Sequence, residues 1–168
     1  MIRWMCFPKY RNIEAHMYDI IKIFETVYPE ISSENHAKQS NEVLSIVTEG
    51  LKQLGYFVEQ GKKKEQKIRV PVSYGENGKT VLSFEADAYN EELKTVIEVE
   101  AGRAVMNYQF LKDFYEACLM HNVDYLCIAV RQKYKRSCDY QKVCDFFDAL
   151  YMTNRMQVPL KSIVIIGY

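Results

Sequence analysis

Two strand-like runs, separated by enough sequence for one helix, define the centre of this chain. Thr95-Val-Ile-Glu-Val-Glu100 is rich in β-formers, and Val123-Asp-Tyr-Leu-Cys-Ile-Ala-Val130 is almost wholly apolar. Between them Val105, Tyr108, Leu111, Tyr115 and Leu119, with Phe110, Phe114 and Cys118, recur at helical spacing from just after Gly102 to about His121. A short, nearly continuous apolar run reads as a strand covered on both faces, and a strand, helix and buried strand in succession imply a parallel βαβ crossover.

The rest of the chain supplies more strands and covering helices. Tyr56 to Glu59, Ile68 to Tyr74 and Val81 to Tyr89 read as strands, with turns at Gly75, Asn77 and Gly78 and at Asn90-Glu91-Glu92. Together with Thr95 to Glu100 they suggest an antiparallel meander. Pro71 has no amide hydrogen to donate, which restricts its strand to an edge or a bulge. Ile13, Met17, Ile20, Ile21, Phe24 and Val27 mark a first helix, stopped by Pro29 and read as a peripheral cover. A second helix starts near Ser40, whose hydroxyl could cap it. It carries Val43, Leu44, Val47, Leu51 and Leu54 on one face and ends at Gly55. The tail adds a helix from about Asp139 to Met152 and a strand from Ser162 to Gly167.

No repeat, linker or compositional break divides the 168 residues, so one domain is expected: a helical cover over 1–39, a core over 40–130, and a helix and strand over 131–168. This order suits a three-layer α/β/α architecture around a central mixed sheet. Composition excludes several classes. With 48% hydrophobic residues and 22 basic side chains balancing 22 acidic ones, the chain is not disordered, and general attraction to polyanions is absent. The best apolar stretch, Met17 to Val27, is broken by Asp19, Lys22 and Glu25, which excludes a spanning helix. The N-terminal MIRWMCFPKYRNIE has neither a long apolar stretch nor a small-residue cleavage site, so a cytoplasmic protein is expected. Cys6, Cys118, Cys127, Cys138 and Cys144 lack C-x-x-C spacing and read as reduced packing residues.

The chemistry concentrates between Phe84 and Arg103. On a strand Glu98 and Glu100 share one face while Ile97 and Val99 take the other. A short turn over 90–94 would bring Asp87 to the same acidic face. Crowded like charges call for a cation, and hard oxygen ligands suit magnesium, which keeps several waters and needs only one or two carboxylates. Such an ion can polarise a phosphodiester and generate the attacking hydroxide. On pattern alone, three acids on an exposed sheet face account for the segment equally well.

The succession of helix, strand turn, Asp87, Glu98-Val-Glu100, helix and buried strand resembles the PD-(D/E)XK nuclease superfamily, the fold of type II restriction endonucleases, from about Ser40 to Val130. The resemblance implies that Asp87 and Glu98 hold magnesium or manganese and that Glu100, in the usual lysine position, assists the attacking water. It also implies a helical acid upstream, for which Glu42 is the first choice and Glu49 the second. The chain departs from the pattern in reading E-x-E, as some restriction enzymes do, and in having Ala86 where proline usually precedes the Asp. A carboxylate at residue 100 can still serve as a base.

Phosphate contacts are expected from Arg103 and from two basic stretches, Lys62-Lys-Lys64 with Lys67 and Arg69, and Arg131-x-Lys133-x-Lys135-Arg136. Taken singly, each stretch also fits a solvated loop, and Arg103 could simply pair with Glu100. His16, His36 and His121 lack zinc or triad spacing, and no Gly-rich phosphate loop is present. The expected function is therefore a magnesium-dependent endonuclease cleaving DNA. The alternatives are a degenerate module of the same fold that binds nucleic acid or a protein partner without cleaving, and a small accessory subunit whose partner supplies sequence recognition. A homodimer is the simplest way to cut both strands of a duplex.

Overall fold

The computed structural model describes residues 1–61, 63–102 and 104–168. Lys62 and Arg103, both expected to contact phosphate, lie outside the described residues. In chain order the elements are β1 (Arg3–Phe7), α1 (Ala15–Thr26), α2 (Tyr28–Ile31), α3 (Ser40–Gln53), β2 (Phe57–Val58), β3 (Ile68–Tyr74), β4 (Thr80–Ala86), β5 (Ala88–Asn90), β6 (Thr95–Glu100), α4 (Gln109–Leu119), β7 (Tyr125–Val130), α5 (Asp139–Thr153) and β8 (Ser162–Gly167). The main sheet has six strands in the order β1-β8-β7-β6-β5-β2.

Its centre is parallel. β6 pairs with β7, and β7 with β8, through crossovers that carry α4 and α5. The flanks are antiparallel, with β1 on β8, β5 on β6 and β2 on β5. Side-chain alternation divides the core between the two faces. Ile97, Val99, Cys127, Ala129, Val164 and Ile166 pack with α1 and α3 through Met17, Ile20, Phe24, Val43 and Val47. Val96, Leu126, Ile128, Val130, Ile163 and Ile165 pack with α4 and α5 through Phe110, Phe114, Val143 and Phe147. The expected three layers around a mixed sheet are observed.

Several features differ from the sequence reading. Residues 3–7, expected to lie in a helical cover, form the edge strand β1, paired with β8 from Arg3↔Gly167 to Phe7↔Ile163. The segment from Val81 to Tyr89 is not one strand, because it breaks at Asp87: β4 pairs only with β3 in a separate ribbon, and β5 joins the main sheet. Pro71 lies in that ribbon beside a register shift, as its missing amide hydrogen demands. Helix α4 starts at Gln109 rather than near Val105, after Tyr108 takes a left-handed conformation. Of the aromatic residues at helical spacing, Phe110 and Phe114 are buried while Tyr108 and Tyr115 are exposed. Pro29 does not simply end the first helix; it occupies the opening turn of α2, where a missing N–H costs nothing.

The five cysteines are free, with Cys6, Cys127 and Cys144 buried. Among the described residues no helix is long and apolar enough to cross a membrane.

Candidate active site

The break between β4 and β5 sets up the site. Asn90 accepts the Leu93 amide on its side-chain oxygen at 2.9 Å and donates to the Leu54 carbonyl at 3.2 Å, fixing the turn that returns the chain into β6. Antiparallel pairing of Ala88 with Ile97 then places Asp87 beside the end of β6. There its Oδ2 accepts the Val99 amide at 2.7 Å, while the Asp87 carbonyl accepts the Glu59 amide at 2.8 Å. Glu98 and Glu100 share the parity of Val96, so both point to the α4 layer. The three acids singled out in the sequence line one cleft of about 170 Å³.

Helix α4 adds a fourth carboxylate. Asp113 is 4% exposed and lines the same cleft. Its Oδ1 accepts the Gln109 side-chain amide at 3.0 Å, and its carboxyl group is hydrogen-bonded to that of Glu100, the two acids sharing a proton. Lysines close the rim. Lys112 contacts Glu116 at 3.2 Å, and Lys67 bridges Glu59 at 2.8 Å and Glu85 at 3.5 Å.

Burial and mutual repulsion raise the proton affinity of Asp87, Glu98, Glu100 and Asp113 alike. Burial first, opposed by the Val99 amide and reinforced by Glu59 and Asp113, pushes Asp87 up to about 7. Glu98 is raised well above the usual carboxylate range by burial and by Asp87, Asp113 and Glu100. Glu100 goes up to about 8 through burial and then Asp113 and Asp87. Asp113 rises to about 6 through burial, held back by Gln109 and Lys112. Four acids that resist ionisation together form a seat for positive charge.

Among the described residues no three His, Cys, Asp or Glu side chains converge closely enough to enclose an ion by themselves. Magnesium does not require that, because it retains waters and takes one or two carboxylates. The donors are all hard oxygens, so Asp87 and Glu98 fit a magnesium-like ion by their chemistry.

Other expected site residues lie elsewhere. Glu42 is not among the residues lining this cleft. Its Oε2 accepts the Gln39 amide at 2.7 Å and caps α3, which also means that Glu42 rather than the Ser40 hydroxyl closes that helix end. Glu49 faces a different cavity on α3 and pairs loosely with Lys52 at 3.6 Å. Replacing Glu42 by Ala is expected to cost about 1 kcal/mol of stability, read by chemical denaturation, while leaving any cleavage activity within about twofold. Arg131 is 6% exposed; its guanidinium donates to the Lys38 carbonyl and lies 5.1 Å from the Tyr134 ring centroid. It is thus turned inward and does not line the acidic cleft. Lys133 is exposed, but it does not line the acidic cleft. Lys67 and Arg69 of the first basic stretch are engaged by Glu59 and Glu85.

Sequence reasoning missed Asp113, Glu59 and Lys112. Asp113 left a usable signal: it falls on the helical stripe of Phe110, Phe114 and Ala117, where an acid interrupts an otherwise apolar buried face. Glu59 left none, because its place depends on the pairing of the two-residue strand β2 with β5.

Among solved structures the fold is similar to that of the restriction endonuclease BglII. The complex of that enzyme with a DNA 16-mer aligns at a TM-score of 0.53 with 12% identity, covering 99% of this chain and 75% of BglII. The free enzyme aligns at 0.51 with 10% identity, covering 99% and 78%. The likeness shows a restriction-endonuclease-like fold. No protein-family model matches the chain, and no curated protein matches its sequence.

Proposed function

We propose that the protein is a divalent-metal-dependent endonuclease that hydrolyses DNA phosphodiester bonds, with Asp87 and Glu98 holding the metal and Glu100 serving as proton acceptor. The observation that carries this is the meeting of Asp87, Glu98, Glu100 and Asp113 in one cleft at the end of β6, on a fold shared with an endonuclease solved on DNA. Magnesium, or manganese in its place, would be held by Asp87 and Glu98, where it would polarise the scissile phosphate and acidify the attacking water.

The chain's own residues supply the rest. The Val99 amide fixes the Asp87 carboxylate. Glu100, whose affinity for a proton is raised by burial and by Asp113 and Asp87, would be a stronger base than an ordinary carboxylate once a bound cation has displaced its proton. Lys67 and Lys112 stand on the cleft wall, within the region a phosphate would enter, and offset its charge. Cutting both strands of a duplex would need two copies about a two-fold axis.

Supercoiled plasmid DNA incubated with magnesium is expected to be nicked or linearised, with no cutting in a chelator. Intact plasmid across magnesium and manganese overturns the assignment. One observation favours a second reading, in which the fold binds nucleic acid without cleaving it: residue 100 is Glu, not Lys. Plasmid retardation without cleavage, in the presence of metal, would establish that alternative.

A further inference from the structure

A second cavity, of about 480 Å³, lies next to the acidic cleft, and Lys67 lines both. One wall is the edge of the main sheet. Phe57 of β2 stands directly opposite Tyr89 of β5 in their antiparallel pairing, so the two rings project from the same face. The other wall forms where the β3–β4 ribbon meets the segment after α4. There the His121 amide donates to the Pro71 carbonyl at 2.7 Å, and the Tyr74 and His121 rings meet edge-on with centroids 5.4 Å apart. Phe57 is 65% exposed and Tyr74 49%. A lone exposed aromatic side chain needs no explanation, but several gathered around one open cavity mark a binding surface.

The charged lining narrows the occupant. Arg69 lines the cavity and pairs at 3.4 Å with Glu85, which belongs to the acidic cleft. Both partners are about half exposed, so the pair holds weakly and can give way to a phosphate. A purely apolar occupant would desolvate Lys67 and Arg69 without compensation. Aromatic faces with cations alongside suit an unpaired nucleotide, whose base stacks while its backbone is neutralised. In a duplex the neighbouring base pairs already cover those faces.

We propose that this cavity receives a nucleobase from an unpaired DNA strand whose backbone crosses the acidic cleft, stacking it among Phe57, Tyr74 and Tyr89 while Lys67 and Arg69 hold the adjoining phosphates. This rests on the nuclease reading given above and deepens it by naming the substrate class: DNA with a single-stranded segment beside the bond that is cut. Lys67, common to both cavities, ties the stacked base to the phosphate entering the cleft.

The test is fluorescence anisotropy of labelled oligothymidylate titrated with the whole protein, in chelator and again in calcium, a hard cation able to offset the carboxylates. Phe57→Ala and Tyr74→Ala should each bind the single strand about tenfold more weakly, with an unchanged thermal transition because both side chains are exposed. Phe57→Trp, which keeps a stacking face, should match the wild type, and a blunt duplex of equal length should bind more weakly than the single strand. Should Phe57→Ala not fold, Phe57→Leu keeps apolar bulk without a ring and carries the same expectation. The inference is overturned if the wild type binds no oligothymidylate in either condition, or if affinity stays within about twofold in the ring-removing variants. It is equally overturned if Val81→Ala, which removes an exposed side chain outside the cavity, weakens binding as much. Plasmid cutting by a wild type whose single-strand affinity ignores Phe57 and Tyr74 removes this inference and leaves the nuclease reading standing. Single-strand binding that depends on both rings, without any cutting, does the reverse.

Discussion

Asp87→Asn and Glu98→Gln should each lower magnesium-dependent cleavage of plasmid DNA by roughly a thousandfold, a loss of about 4 kcal/mol of transition-state stabilisation. Neither should lower the melting temperature of the metal-free protein. Each substitution removes a charge from a crowded, buried cluster, and the side-chain amide introduced by Asp87→Asn retains an oxygen able to accept the Val99 amide. The combination of large kinetic loss and unchanged or raised stability separates a metal ligand from a structural acid. Cleavage undiminished in either variant would remove that residue from the site. Cleavage lost along with the cooperative transition would mark it as a packing residue.

The second large effect is a pH dependence of stability that reverses with metal. Asp87, Glu100 and Asp113 sit at about 7, 8 and 6 in the folded protein, and Glu98 is raised as well, all above their unfolded values of about 4. A folded-state pKa above the unfolded one means that the native state binds more protons. Stability from these groups is therefore complete below about pH 4 and is lost as pH rises through the interval from about 6 to about 8. In chelator the melting temperature should fall by at least about 5 °C between about pH 5.5 and about pH 8.5. Saturating magnesium or manganese should recover most of that loss at the upper end, because the cation favours the ionised carboxylates. The control is Glu100→Gln, which should make the metal-free profile shallower, most of all near its upper end. A profile that is flat in chelator, or one that metal leaves unchanged, contradicts the electrostatic account of the cleft.

Much of the fold was legible because its centre obeys simple periodicities. The run ending at Val130 is covered on both faces, so its apolar pattern could not be anything but interior strand, and Ser162 to Gly167 repeats the same signature with the observed bounds. The edge strand β1 was hidden because Arg3–Phe7 has only one paired neighbour and contains the exposed side chains of Arg3 and Trp4. Of the site, the strand acids were legible through alternation and the short turn after Asn90. The break at Asp87 was not, because a single residue leaving one ribbon for another sheet changes no local pattern. Nor was the role of Glu42 legible, because a glutamate near a helix start looks the same whether it caps that helix or faces a ligand; only the 2.7 Å contact with the Gln39 amide decides. The burial of Arg131 was hidden for a related reason. A basic side chain within a basic stretch reads as solvated, yet its aliphatic stem and planar head can be buried when a carbonyl and an aromatic ring receive them.

All of this depends on whether the cleft between β6 and α4 takes up a divalent cation. The most direct measurement is a crystal structure of the protein grown with manganese, using anomalous scattering to locate the ion. The account predicts a peak within coordination distance of Asp87 and Glu98. A cleft without anomalous density at saturating manganese, or with a lysine or arginine side chain lodged among the carboxylates, would contradict it.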